Sequence, residues 1–142
     1  MTALIPVAFA FAALTPAEPA QLTAELLAGL PERKAVLNAH GKTQACEGPA
    51  LVDVLARLGL PQGEKLRGAA LAQTIVVRAK DGYEVAFSLG ELDPLLGNAP
   101  VIVATRCDGQ AIAPGEGPFR LIAASDKRPA RSVRMASSIR LK

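Results

Sequence analysis

The stretch "TIVVRAKDGYEVAFSLGELD", residues 74–93, decides how this chain is read. It consists of two strand-like runs joined at Asp81-Gly82, the pair best suited to a tight turn, and so predicts a β-hairpin. Ser88 follows the second run and stands three residues before Glu91, which predicts a capped helical turn. Working upstream, "EGPALVDVLARLGLP" predicts a helix. Leu51, Leu55 and Leu58 recur at helical spacing, Pro49 suits the first turn, and Gly59 with Pro61 ends it. "RKAVLNA" reads as a strand, and "HGKTQACEGP" after it as a polar, glycine-bearing loop long enough to hold a site. Before that strand, "PAEPAQ" reads as a turn. "LTAELLAGLP" reads as a short helix capped by Thr23, with Glu25 at its positive end and Gly29 and Pro31 as its stop.

Downstream, "VIVATRCDGQAIA" repeats the strand-turn-strand scheme at Asp108-Gly109. Pro118 introduces another strand-like run, "FRLIAA", and "SVRMASSIRLK" predicts a last strand in which Arg134 points opposite to Val133 and Met135. About seven short strands with two or three short helices, without repeat or low-complexity linker, make a β-rich α+β domain over residues 20–142. Residues 1–19, "MTALIPVAFAFAALTPAEP", carry an apolar run that no Lys or Arg precedes and that is too short to span a membrane. Two readings of it stay open, a signal-peptide remnant or a first strand over "PVAFAFAAL".

A chain of 142 residues with 50% apolar and 20% charged residues is globular in composition and long enough for one core. With no Trp and only 4% aromatics, that core must be built from Ala, Val, Leu and Ile. The formal net charge of +3 is small but unevenly placed. From Arg120 to Lys142 there are seven basic residues and one acidic, against nine basic and twelve acidic before them. The positive charge is therefore a local feature.

Familiar enzyme signatures are missing: there is no Gly-x-Gly-x-x-Gly fingerprint, no Walker loop and no Gly-x-Ser-x-Gly elbow. Asp81 and Asp108 are explained by turn chemistry, Glu91 and Asp93 by a short helix. His40, the sole histidine, could serve as a base or ligand, yet no His or Cys stands at helical or hairpin spacing to it, and it reads first as a turn residue. Cys46 stands before a helix entrance, where backbone N–H groups favour a thiolate, so it is a candidate metal ligand; a half-buried loop thiol is the plainer reading. Whether Cys46 pairs with Cys107 stays open at this level.

The basic tail is the strongest signal. "DKRPARS" puts Lys127, Arg128, Arg131 and Ser132 into one proline-bent loop, whose guanidinium forks and N–H groups suit a phosphate or carboxylate. Nucleic acid would call for a wider basic face with stacking aromatics, and Tyr83 is the single tyrosine. The expected partner is a small anion or an acidic protein. No nucleic acid and no membrane span are expected, and the oligomeric state is not legible.

In the order "LTAELLAGLP", strand, "CEGPALVDVLARLGLP", "VVRAKDGYEVAFSLGELD", "VIVATRCDGQAIAPGEGPFRLI", "DKRPARSVRMASSIRL", these motifs resemble the molybdopterin-binding domain of the sulfite oxidase-like oxidoreductases. The similarity runs over residues 20–142 and is strongest to the short, stand-alone bacterial members. The resemblance implies an α+β fold of β-rich mixed sheets flanked by short helices, and export to the periplasm. It also implies a terminal Ser-Val-Lys motif that holds the pterin phosphate. Ser132, Val133 and Arg134 match that motif with Arg for Lys, and Lys127 and Arg131 lie where basic support is expected.

The family's molybdenum-ligating cysteine comes directly after the strand matching "KAVLNA", where this chain has Asn38, Ala39, His40 and Gly41, with Cys46 further on. The resemblance therefore implies an accessory module without the molybdenum ligand or any cofactor, keeping a basic pocket for an anion or acidic partner. Its alternative is a minimal molybdopterin-dependent oxidoreductase. There Cys46 would ligate the metal, Lys127, Ser132 and Arg134 would bind the pterin phosphate, and Arg106 or Arg131 would steer an oxyanion.

Overall fold

The computed structural model describes Leu14 and residues 18–142. The two readings of the apolar start thus lie outside the described residues except at Leu14, whose buried side chain joins the core and whose N–H donates to the Leu58 carbonyl at 3.1 Å.

In chain order the elements are β1 (Ala20–Gln21), α1 (Ala24–Leu27), β2 (Glu32–Ala39), β3 (Lys42–Pro49), α2 (Leu51–Arg57), β4 (Thr74–Ala79) and β5 (Glu84–Ser88). There follow α3 (Leu89–Leu92), β6 (Val101–Ala104), β7 (Arg106–Cys107), β8 (Gln110–Ala111), β9 (Arg120–Ala123) and β10 (Ala136–Leu141). They form three antiparallel sheets with strand orders β1-β10-β4-β5, β2-β3-β7-β8 and β6-β9. The molecule is a strand-rich α+β protein. Among the described residues no helix is long and apolar enough to cross a membrane.

The hairpin at 74–93 forms as its residues dictate. Ile75 pairs with Phe87 and Val77 with Val85, and all four are buried, so one face of β4 and β5 enters the core. Gly82 takes φ +92, a region open to glycine, and the Asp81 Oδ1 accepts the Tyr83 N–H at 3.0 Å to close the turn. The chain then enters α3 through a reciprocal cap. Ser88 Oγ accepts the Glu91 N–H at 3.0 Å, and Glu91 Oε1 accepts the Ser88 N–H at 2.9 Å. In α2, Leu51, Val54, Leu55 and the following Leu58 form one buried stripe, and Gly59 at φ +88 ends it. Pro49 belongs to β3 rather than to the helix, which starts at Leu51.

The small sheet β6-β9 is the centre of the molecule. Val101, Val103, Leu121 and Ala123 face the larger core with α1, α2, α3 and the β4-β5 hairpin. Ile102, Ala104 and Ile122 face a second core made with Ala35, Leu37 and Cys46. Burial on both faces explains why "VIVA" and "LIA" are unbroken apolar runs. Gly48 on β3 lies so close to β6 that a Cβ there would fall 2.0 Å from the Val103 carbonyl oxygen. Only glycine lets the two sheets approach this far.

Three sequence expectations are corrected. The polar loop expected over "HGKTQACEGP" is instead a two-residue turn followed by β3: His40 (φ +52) and Gly41 (φ +76) reverse the chain at once, and all eight residues of β3 pair with β2. Its polar residues belong to a strand with one buried face. Residues 132–135 do not continue the last strand, because Ser132 caps a 3-10 turn over Pro129–Arg131 and Met135 takes φ +51, so β10 begins at Ala136. Ala20 and Gln21, read as a turn, pair with Ile139 and Ser138.

Candidate functional site

The corrected segment 132–135 builds a cationic hollow. It runs beside the chain entering β9, held by backbone bonds from Met135 N–H to Glu116 O at 2.8 Å, Ala136 N–H to Phe119 O at 2.9 Å and Leu121 N–H to Val133 O at 2.8 Å. This places Arg134 next to Arg120, the first residue of β9. The Tyr83 hydroxyl donates to the Ala130 carbonyl at 2.7 Å, docking the 3-10 turn on the β4-β5 hairpin. The result is a cavity of about 460 Å³, lined among others by Arg120, Arg128, Ser132, Arg134, His40 and Asp81.

Arg120 is the unusual member. It is only 4% exposed, it donates to Glu116 Oε2 at 3.2 Å, and its buried Nε has no hydrogen-bond partner among the described residues. Burial lowers the affinity of this guanidinium for its proton; Glu116 opposes that effect and Arg134 adds to it. Glu116 also reaches Arg134, at 3.9 Å from its Nε, so one carboxylate serves two guanidiniums. Glu116 stands behind the wall, and Asp81 is the acidic residue among those lining the cavity. Ser132 Oγ accepts the Ala123 N–H at 3.0 Å, which leaves its own proton to donate. Three guanidiniums, a hydroxyl and an imidazole around one cavity can bind a tetrahedral or planar oxyanion by charge-assisted hydrogen bonds.

The residues singled out in the sequence separate into two groups. Ser132, Arg134, Arg128 and His40 line the hollow. Lys127 is exposed and does not line it. Arg131 does not line it either: its guanidinium forks onto Asp126 at 2.9 Å twice, reaches Glu91 at 3.1 Å and the Ala86 carbonyl at 3.1 Å, and lies 4.4 Å from the centre of the Phe87 ring. These partners raise its affinity for the proton, the Asp126 hydrogen bonds first among them. Arg131 is a strut for the loop. Arg106 sits on β7, paired with Glu47 at 2.7 Å and Glu32 at 3.6 Å, and is no part of the hollow.

Cys46 is fully buried and disulfide-bonded to Cys107, its direct neighbour in the β3-β7 pairing. Tied in this bond, the Cys46 sulfur offers no thiolate to the metal that the sequence reading gave it. Among the described residues no group of three His, Cys, Asp or Glu could hold a metal ion. The residue that sequence reasoning did not single out is Arg120. Its signal was an arginine opening the apolar run "FRLIAA", where a charge enters the core. No protein-family model matches the chain, and no curated protein matches it.

Proposed function

We propose that this protein is an anion-binding accessory module, with a fold of the sulfite oxidase molybdopterin-binding type and no molybdenum ligand of its own. The hollow takes a small oxyanion, or the anionic group of a partner, between Arg120, Arg128, Arg134 and Ser132. One observation carries the reading: a guanidinium withdrawn from water, with an unpartnered Nε and a like-charged neighbour, at the wall of a cavity. An anion there would offset both the burial and the repulsion from Arg134. The fold assignment rests on the order of motifs, and on Ser132, Val133 and Arg134 all lining that cavity.

The residues present do not fit a molybdenum centre. The soft ligand such a metal needs would be a thiolate, and Cys46 is tied to Cys107 in the second core, away from the hollow. No redox step is assigned. The disulfide supports export to an oxidising compartment such as the periplasm.

The test is calorimetric titration with inorganic phosphate. Arg128→Ala/Arg134→Ala removes two exposed donors and should weaken binding by roughly 10- to 100-fold, at about 1.5–3 kcal/mol for each charge-assisted hydrogen bond less its solvent screening. Lys127→Ala should change affinity less than about twofold, since a screened surface charge contributes little. Binding unaltered by the double substitution, or none by the native protein, would refute the reading.

A further inference from the structure

Among the described residues the strand that leads into the hollow also presents an unpaired edge. β2 is the outermost strand of its sheet, and its last residue, Ala39, and the following His40 line the hollow. The outward backbone groups of β2 follow from the register. Ala45 and Glu47 on β3 turn their carbonyls to the far side, toward the Asp108 N–H at 2.7 Å and the Thr105 N–H at 2.9 Å. Their partners across the pair, Val36 and Lys34, must therefore turn their own N–H and C=O groups away from β3. Among the described residues no hydrogen bond satisfies these outward groups. Arg33 and Lys34 are exposed along this edge, and so is Val36, at 48%.

We propose that this edge accepts an extended acidic peptide as an added strand, with the peptide's carboxylate end entering the hollow at Ala39 and His40. This rests on the anion-binding reading above and names the partner that presents the anion. Backbone pairing on Val36 and Lys34 would supply affinity, and the arginines of the hollow would select a terminal or side-chain carboxylate. The charge pattern disfavours a second copy of this chain. Self-pairing would bring another Arg33, Lys34 and basic hollow to the same seam, and such basic residues are a common defence against edge-to-edge association.

The experiment uses the full chain and a six-residue peptide of alternating valine and threonine ending in two glutamates, followed by fluorescence anisotropy and competed with inorganic phosphate. The peptide should bind at least about tenfold tighter than phosphate and be displaced by it, because it adds strand pairing to the same anion contact. Methylating its alternate amide nitrogens leaves the charge intact and should remove roughly that tenfold gain. Val36→Pro deletes one outward N–H without touching the bonds to β3, as edge positions allow, and should weaken the peptide while leaving phosphate affinity within about twofold. A peptide no tighter than phosphate, or equally tight after methylation, overturns the added strand and leaves the anion site standing. If neither peptide nor phosphate binds, both readings fall.

Discussion

Replacing Arg131 by Met tests whether the tail's most heavily bonded cation is a strut or a ligand. Methionine keeps an apolar stem over Phe87 and removes the guanidinium that joins Asp126, Glu91 and the Ala86 carbonyl. The side chains of Arg131, Glu91 and Asp126 are 33%, 33% and 23% exposed, between the surface and buried cases. Surface ion pairs contribute about 0–1 kcal/mol and well-buried charge-assisted hydrogen bonds about 1.5–3, so each carboxylate contact is set near 1 kcal/mol. The lost cation–π contact of the guanidinium with the Phe87 ring adds up to about 1 kcal/mol more, while water replaces the donor at the exposed Ala86 carbonyl. Arg131→Met should therefore lose up to about 3 kcal/mol in urea unfolding at pH 7, a shift of up to roughly a hundredfold in the folding equilibrium.

The loss carries a pH signature. The Arg131 hydrogen bond holds the Asp126 carboxyl below its ordinary range, against a smaller opposing effect of burial. A depressed carboxylate stabilises the fold above its unfolded pKa, about 4, and that stabilisation disappears as pH falls through the folded value. The gap between native protein and Arg131→Met should thus narrow below about pH 4. A loss under about 0.5 kcal/mol at pH 7, or a gap that stays constant down to acid, would refute the strut.

Two further perturbations probe the sheets. Cys107→Ser opens a bond between residues 61 apart in sequence, and chain entropy sets the destabilisation at up to about 4 kcal/mol in urea unfolding; a change under about 1 would show that β7 is held without it. Gly48→Ala forces a Cβ onto the Val103 carbonyl and the Ala104 Cα, both backbone atoms that cannot swing aside. It should destabilise by about 2–3 kcal/mol or more by thermal unfolding, and a melting temperature within about 2 °C of native would mean the sheets can part freely.

Local chemistry made much of the fold legible. Asp81-Gly82, Ser88 with Glu91, and Thr23 each specify a turn or cap within a few residues, and the structure forms all three. The β2-β3 hairpin was missed because the turn is His40-Gly41, and a non-glycine residue at positive φ carries a weaker signal than Asn-Gly or Asp-Gly. The polar residues Lys42, Thr43 and Gln44 then read as a loop, although a strand with one solvated face has the same composition. The start of the last strand differs from the expectation for a related reason. Alternation of Val133 and Met135 with Arg134 suggested continuity, but Met135 sits at φ +51 and breaks it. The disulfide lay beyond sequence reasoning because Cys46 and Cys107 become neighbours only through the β3-β7 pairing.

The lopsided charge of the tail resolves into different physical tasks. Arg131 and Arg140 are matched by carboxylates, Asp126 and Glu91 for the first and Glu84 for the second, and they tie the tail to the β4-β5 hairpin and its helix. Among the described residues Arg120, Arg128 and Arg134 are undermatched: Glu116 is shared by the first and last of them, and Asp81 is the acidic residue lining the cavity. A run of like charge would repel itself if it were only structural, and the matched arginines show that this chain can neutralise a cation where the fold alone requires it. The excess is concentrated where the backbone bends away from β10, around a hollow into which one guanidinium is driven with its Nε unsatisfied. An electrostatic deficit placed against a cavity is what supports the proposed site for a negative group from outside the chain.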